Sequence, residues 1–416
     1  MTDVLIIGGG LAGLTAANYL HRQGLAIQLL EAGDRVGGRV RTEEKKGFRL
    51  DRGFQVFATA YPEAKALLDY GKLDLRPFLP GAILLQADGN QSRIGDPLRD
   101  WSSLFPTLMA KAGGLGSKLK ILRLSNRLKR ESLLEIFSAR ERPTMEVLSQ
   151  EYGFDQELIR SFFQPFYSGI FLEKELRTSR RMFDFVFKMF AEGSVAVPNA
   201  GMEAIPRQLA GNLPGEAIQT NCRVERIEGN KAIASDGSSF EGKAILLATE
   251  ATGLIRDYAS KSKEAYKSTA HLHFTALDSP IRKPLIALNT LPDGLVNSVV
   301  VMSQVAPGYA PEGQHLISVS IVGKTEAKGA ALAGQVKAEL KRWFAEAETT
   351  WQFLDERVVE YALPAQQHVR HDIDPTELRL GEHLFQCGDH LLNGSINGAM
   401  RSGRLAAQAI GAALKK

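Results

Sequence analysis

Cysteine is scarce in this chain: Cys222 and Cys387 are the only two among 416 residues. Neither sits in a CxxC pair or beside a histidine cluster, which excludes a disulfide framework and leaves no metal site to expect. Such usage fits a reducing compartment, so a cytoplasmic location is expected. No apolar run is long enough to span a bilayer. No repeat of roughly 20–50 residues is visible, and no secretory pattern precedes the first apolar run at Val4. Charge of neither sign dominates: the net charge of +4 is too small to imply a nucleic-acid partner, although an anionic membrane surface remains compatible with it. The hydrophobic share of 44% and charged share of 24% are those of an ordinary globular protein, long enough for two or three domains.

What is present starts at once. Val4 to Ile7 are apolar and mostly β-branched, as in a strand buried on both faces. Gly8, Gly10 and Gly13 follow as G-x-G-x-x-G. The first glycine permits the tight turn, the second a close backbone approach to a pyrophosphate, and the third close packing of helix on strand. A helix from about Ala12 to Gln23, entered through Leu11 and Ala12, would aim its first N–H groups at phosphate. A second strand, Ala26 to Leu30, ends in Glu31, placed about 20 residues on to accept ribose hydroxyls and to repel a 2′-phosphate. A merely structural glycine turn is the alternative, but the order strand, helix, strand, acid favours a dinucleotide.

Ala32 follows the acid, and Gly37-Gly38-Arg39 comes soon after, with Arg41 as a further forked donor for phosphate oxygens. Next stands Asp51-Arg52-Gly53-Phe54-Gln55. Near the other end, a strand Leu384 to Cys387 runs into Gly388-Asp389, and Ser395, a plausible N-cap, opens a helix through Ile396 and Ala399 to about Ala413. These blocks resemble the flavin amine oxidase superfamily, which includes phytoene desaturases, protoporphyrinogen oxidases and amine oxidases. The resemblance extends to Val224 in an alternating strand, to Ala244–Thr249, to the Pro198–Met202 turn and to Ala362-Leu363-Pro364.

The resemblance implies non-covalent FAD. In such a protein the Gly53–Gln55 turn lies beside the isoalloxazine, and the backbone of Val224 meets the adenine. The strand ending at Thr249 leads back to the cofactor. Asp389 holds the ribityl chain, and the last helix points its N-terminus at the flavin N1–C2=O edge, where reduced flavin carries negative charge. The expected fold is α/β: a discontinuous Rossmann-like FAD-binding domain from about 1–60, 198–265 and 352–416, with an inserted α+β substrate domain. Of the insertions, 61–197 reads as mainly helical and, by analogy, substrate- or membrane-facing, and 266–351 as β-rich, with strands at Leu272 to Leu277, Val296 to Met302 and Leu316 to Ile321 and a helix from Glu326 to Phe344. Gly113-Gly114-Leu115-Gly116 lacks a preceding strand and reads as a loop, so only one dinucleotide fingerprint exists; oxygen or a quinone is the expected electron acceptor.

The substrate is less legible. Nine aromatics fall between Phe162 and Phe190 (Phe162, Phe163, Phe166, Tyr167, Phe171, Phe183, Phe185, Phe187, Phe190), either a wall for an apolar substrate or a helical core. No aromatic pair or lysine can be placed as an amine-oxidase cage or base. His390 is the one proton acceptor near the end blocks, with an ordinary loop histidine as its alternative. The favoured function is oxidation or desaturation of a hydrophobic, isoprenoid/carotenoid- or porphyrinogen-like molecule by hydride transfer to flavin N5. An amine or amino-acid oxidase, a redox-neutral isomerase or mutase and a non-enzymatic flavin protein are the alternatives. Lys120, Arg123, Arg127 and Arg130 recur at helical spacing beside Ile121, Leu124 and Leu128, a pattern for peripheral contact with anionic membrane or for a solvated basic face.

Overall fold

The computed structural model describes residues 2–95, 115–250, 254, 258, 266–365 and 368–415. Strand β1 (Thr2–Ile7), helix α1 (Leu11–Arg22) and strand β2 (Ile27–Leu30) form the opening unit. β1 lies centrally in a parallel sheet, with β2 and then Ile218–Gln219 on one side and Ser239–Leu247 and then Leu384–Gln386 on the other. Alternation along β1 divides its side chains between two cores. Val4 and Ile6 face the large core that includes Leu14 and Ala407, while Leu5 and Ile7 face a smaller cluster with Leu30 and Leu247. A ribbon of Val224–Glu228 and Lys231–Ala234 runs antiparallel from Ser239–Leu247. The helix Ile396–Leu414 packs against α1 so closely that a Cβ on Gly403 would stand 2.1 Å from the Ala12 carbonyl oxygen.

A second sheet runs in the order Gln352–Pro364, Tyr266–Ala276, His315–Val322, Ser298–Val301, Ile286–Asn289, Gly81–Leu85 and Gln91–Gly95. All neighbours are antiparallel except Ile286–Asn289 beside Gly81–Leu85. One face is apolar: Leu272, Phe274, Val299 and Val319 pack under the helix Gly329–Leu340 through Leu332 and Val336. The other face carries His271, His273, Ser298, Ser318 and Ser320, all buried. The strand Gln352–Pro364, grouped above with the FAD-binding segments, pairs along Tyr266–Ala276 in this sheet. Gly81–Leu85 and Gln91–Gly95, within the stretch read as mainly helical, form its far edge. A hairpin in the first insertion has no helical periodicity to betray it, and its partner strand lies some two hundred residues later in the chain.

The helical region includes Leu115–Arg130, Gln164–Phe171 and Arg180–Glu192. Leu115 and Gly116 open the first of these helices instead of continuing a loop; Gly113 and Gly114 lie outside the described residues. The Tyr152 hydroxyl ties this region together, donating to Asp184 Oδ1 (2.5 Å) and accepting from Arg180 (2.8 Å) and Arg127 (3.0 Å). Among the described residues, no helix is long and apolar enough to cross a membrane.

Candidate active site

The three glycines of the opening turn have different reasons to be there. Gly8 has φ +109°, and a Cβ on it would stand 2.7 Å from the Ala248 carbonyl oxygen. A Cβ on Gly13 would stand 2.1 Å from the Gly8 carbonyl oxygen. Both are demanded by the chain's own packing. Gly10 is not: its φ of −74° suits any residue, and a Cβ there meets nothing within 4 Å. The space in front of Gly10, at the N-terminus of α1, is left open by the fold.

Glu31 closes one side of that space. Its Oε2 accepts the Gly9 N–H and its Oε1 the Gly33 N–H, each at 2.7 Å. Gly37 donates its N–H to the Gly9 carbonyl (2.8 Å), and Gly38, at φ +58°, lies so near that a Cβ would be 3.4 Å from the Gly10 Cα. Across the opening, the Ser395 hydroxyl caps the last helix by accepting the Gly398 N–H at 2.8 Å. The close Gly403–Ala12 packing thus sets two helix N-termini on one opening, where both dipoles favour negative charge.

The opening is part of one cavity of about 1730 Å³. Every residue named above for the cofactor lies on its wall except Gly13, which is covered by the Gly8 backbone. Two of them touch: Arg39 Nη2 donates to Asp389 Oδ1 at 2.6 Å, and Arg39 Nη1 to the Ala362 carbonyl at 3.1 Å. Gln55 Nε2 donates to the Arg39 carbonyl (3.0 Å), while Gln55 Oε1 is buried on the cavity wall without a donor. A flavin dinucleotide fits these features. It brings phosphates for the open helix N-terminus, ribose hydroxyls for Glu31 and an N–H donor of the kind Gln55 Oε1 lacks.

His390 is not on the wall. Its ring packs on Gly388, where a Cβ would stand 2.3 Å from it, and burial lowers its basicity. Cys387 is fully buried off the wall, and burial pushes its thiol far above the usual range. Asp51 is also off the wall, yet it anchors the Gly53–Gln55 turn. It accepts from Thr42 Oγ1 (2.5 Å), the Met202 N–H (3.0 Å) and Tyr309 Oη (2.5 Å), and burial raises its pKa to about 6.

Beyond the cofactor blocks the cavity widens between the helical region and the second sheet. The nine aromatics divide. Phe162, Phe163, Phe166, Tyr167, Phe187 and Phe190 line the chamber, whereas Phe171, Phe183 and Phe185 are core. The sheet contributes Thr269, Asn297, Ser298 and Ser320, none singled out in the sequence. Their signal was the alternation in Ser318-Val319-Ser320-Ile321, which gives a strand one polar face even when both faces are buried. Every described residue that 61–197 and 266–351 give to the wall lacks a charged side chain, while the sheet strand Gln352–Pro364 adds the exposed Glu360.

Residues 11–411 match the sequence family described as flavin containing amine oxidoreductase. Over 166 residues the chain is 28% identical to protoporphyrinogen oxidase 2 of Arabidopsis thaliana, covering 40% of this chain and 32% of that one. Over 100 residues it is 38% identical to human lysine-specific histone demethylase 2 (24% and 12% covered). Over 51 residues it is 47% identical to carotenoid 3,4-desaturase of Haloarcula japonica (12% and 10% covered). The matched stretches thus span a third or less of these relatives' lengths. In structure it is similar to a putative protoporphyrinogen oxidase from Exiguobacterium (TM-score 0.72, 18% identity, 100% and 99% covered). A putrescine oxidase variant (0.71, 17%, 99% and 99%) and reduced UDP-galactopyranose mutase (0.66, 14%, 100% and 96%) share the fold. With a cradle that fits a flavin dinucleotide and a family match along nearly its whole length, the chain belongs to the flavin-containing amine oxidoreductase family.

Proposed function

We propose that this chain is an FAD-dependent enzyme that oxidises or desaturates a neutral, largely apolar small molecule of isoprenoid type, with FAD held non-covalently and oxygen or a quinone as the electron acceptor. The uncharged chamber carries this reading. An ammonium substrate would lose its water there and find no carboxylate among the described residues of either insertion, and the Glu360 carboxylate of Gln352–Pro364 is exposed to solvent. Carboxylates of a porphyrinogen would likewise find no cation among the described residues that either insertion gives to the wall.

Bound FAD supplies acceptance of a hydride from carbon. The chain's own part is to hold and enclose. The Phe162–Phe190 aromatics and the apolar residues beside them exclude water from the chamber. The N-terminus of Ile396–Leu414 stabilises negative charge at the cavity wall. Among the described residues, no thiol or imidazole that could bond the cofactor covalently faces the wall except Cys222, beside Arg223 and Val224 on the stretch assigned to adenine.

We also infer a cytoplasmic protein in peripheral contact with anionic membrane through Leu115–Arg130. Arg123 and Arg130 are exposed on this helix, and Leu119, 58% exposed, also lies on the cavity wall, so the same helix offers a route for a lipid-soluble substrate. Lys120 donates to the Gly153 carbonyl, and Arg127, though exposed, is held by the Tyr152 hydroxyl and Glu131.

The test is anaerobic mixing of the yellow holoenzyme with neutral isoprenoids, porphyrinogens and amines while the visible flavin band is followed. Bleaching by a neutral isoprenoid is expected. Bleaching by an amine or a porphyrinogen with none by isoprenoids rejects the reading.

A further inference from the structure

Apart from the exposed Glu360 on Gln352–Pro364, the sheet side of the chamber is polar without being charged, and it is built. Ser298 and Ser320 stand opposite each other on adjacent strands, 3% and 8% exposed, with their hydroxyl oxygens 2.5 Å apart. One hydroxyl hydrogen fills that contact; the pair keeps a second O–H and spare lone pairs, and both residues lie on the cavity wall. Asn297, 8% exposed, joins them on the wall. Its amide reaches the chamber over Gly169 of the aromatic helix, where a Cβ would stand 2.8 Å from Asn297 Nδ2. Among the described residues, no side-chain hydrogen bond of that amide is found. Other polar groups on the same face are used internally: Thr269 donates to the Ile321 carbonyl (2.7 Å), and His271 Nε2 is 2.5 Å from Ser318 Oγ.

We propose that this trio selects the substrate by an uncharged oxygen function, a carbonyl or hydroxyl, which hydrogen-bonds to the Ser298–Ser320 pair and to the Asn297 amide. The inference rests on the neutral, apolar substrate proposed above and narrows it. A pure hydrocarbon would strip water from three buried polar groups and return no hydrogen bond. A carboxylate or ammonium would find hydroxyls and an amide but no counter-charge. A neutral oxygen satisfies the trio while the rest of the molecule lies against Phe162, Phe166 and Phe190.

A matched set on one skeleton tests this: farnesal, farnesol, farnesene, farnesoate and farnesylamine, each titrated into the oxidised holoenzyme while the flavin spectrum reports binding. Farnesal and farnesol should bind about tenfold or more tighter than the other three, the ratio set by one unmet buried hydrogen bond. Replacing both serines by alanine, or Asn297→Leu alone, should cut that preference to about threefold or less with flavin content unchanged. The wild-type ranking stands whether or not a variant folds. Farnesene binding as tightly as farnesol overturns the inference and leaves the proposed function intact. Farnesylamine or farnesoate binding tightest, or no saturable binding by any of the five, overturns both. An unaltered ranking in flavin-replete variants overturns the assignment to these residues.

Discussion

Arg39 and Asp389, 350 residues apart, meet at 2.6 Å on the wall of the cavity. The contact joins the glycine doublet after β2 to the turn before the last helix. The guanidinium holds the carboxylate in place.

Asp389→Ala should therefore weaken flavin retention by about 1.5–3 kcal/mol, roughly ten- to a hundredfold, since a charged acceptor is lost and Arg39 is left without its partner. Equilibrium dialysis of the apoprotein against FAD measures this, and unchanged affinity would place the cofactor elsewhere. Acid precipitation of the wild type should give a yellow supernatant; colour retained in the pellet would contradict non-covalent binding.

Gly10→Ala and Gly13→Ala separate cofactor space from packing space. The Gly10 methyl enters open space in the apoprotein, so the apoprotein's melting point should stay unchanged while FAD binding falls steeply. The Gly13 methyl meets the Gly8 carbonyl at 2.1 Å and should destabilise the apoprotein itself. Equal loss of apoprotein stability in both variants would remove the distinction.

Burial raises Asp51 from the ordinary 3.8 to about 6. Its folded pKa then exceeds its unfolded one, so its favourable contribution is complete below about pH 4 and is lost as pH rises through about 6. Compared with Asp51→Asn, the wild type should lose relative stability between about pH 4 and pH 8. Urea midpoints of the two proteins at both ends of that window check the sign, and parallel profiles would refute it.

The basic helix makes its own prediction. Holoenzyme should sediment with anionic vesicles at low salt, and Arg123→Glu with Arg130→Glu should abolish this, at about 1 kcal/mol per charge removed from an anionic surface. Wild-type protein that stays in the supernatant would make the exposed arginines a solvated face only.

The blocks proposed to hold the cofactor were legible as structural devices because each is local. Gly8, Gly10 and Gly13 answer to a turn, Glu31 to a strand end, and Ser395 to a helix start; short-range chemistry is written in consecutive residues. The Arg39–Asp389 contact, the Asp51–Tyr309 bond across 258 residues and the Ser298–Ser320 pair depend on tertiary register, which local pattern does not encode. His390 shows the converse: proximity in sequence to Asp389 suggested a role, yet the ring turns onto Gly388. The aromatic run was ambiguous because both readings hold, six residues lining the chamber and three filling the core.

The parallel pairing of Leu384–Gln386 with Ser239–Leu247, and the seating of Gly403 on Ala12, also set an order of events during biosynthesis. When α1 leaves the ribosome it displays the turn proposed for phosphate with no opposing wall, and that wall is made hundreds of residues later. Cofactor capture is therefore a late step, after translation has passed the final helix. A ribosome-stalled chain ending before Leu384 should hold no flavin, however well its first βαβ unit has folded.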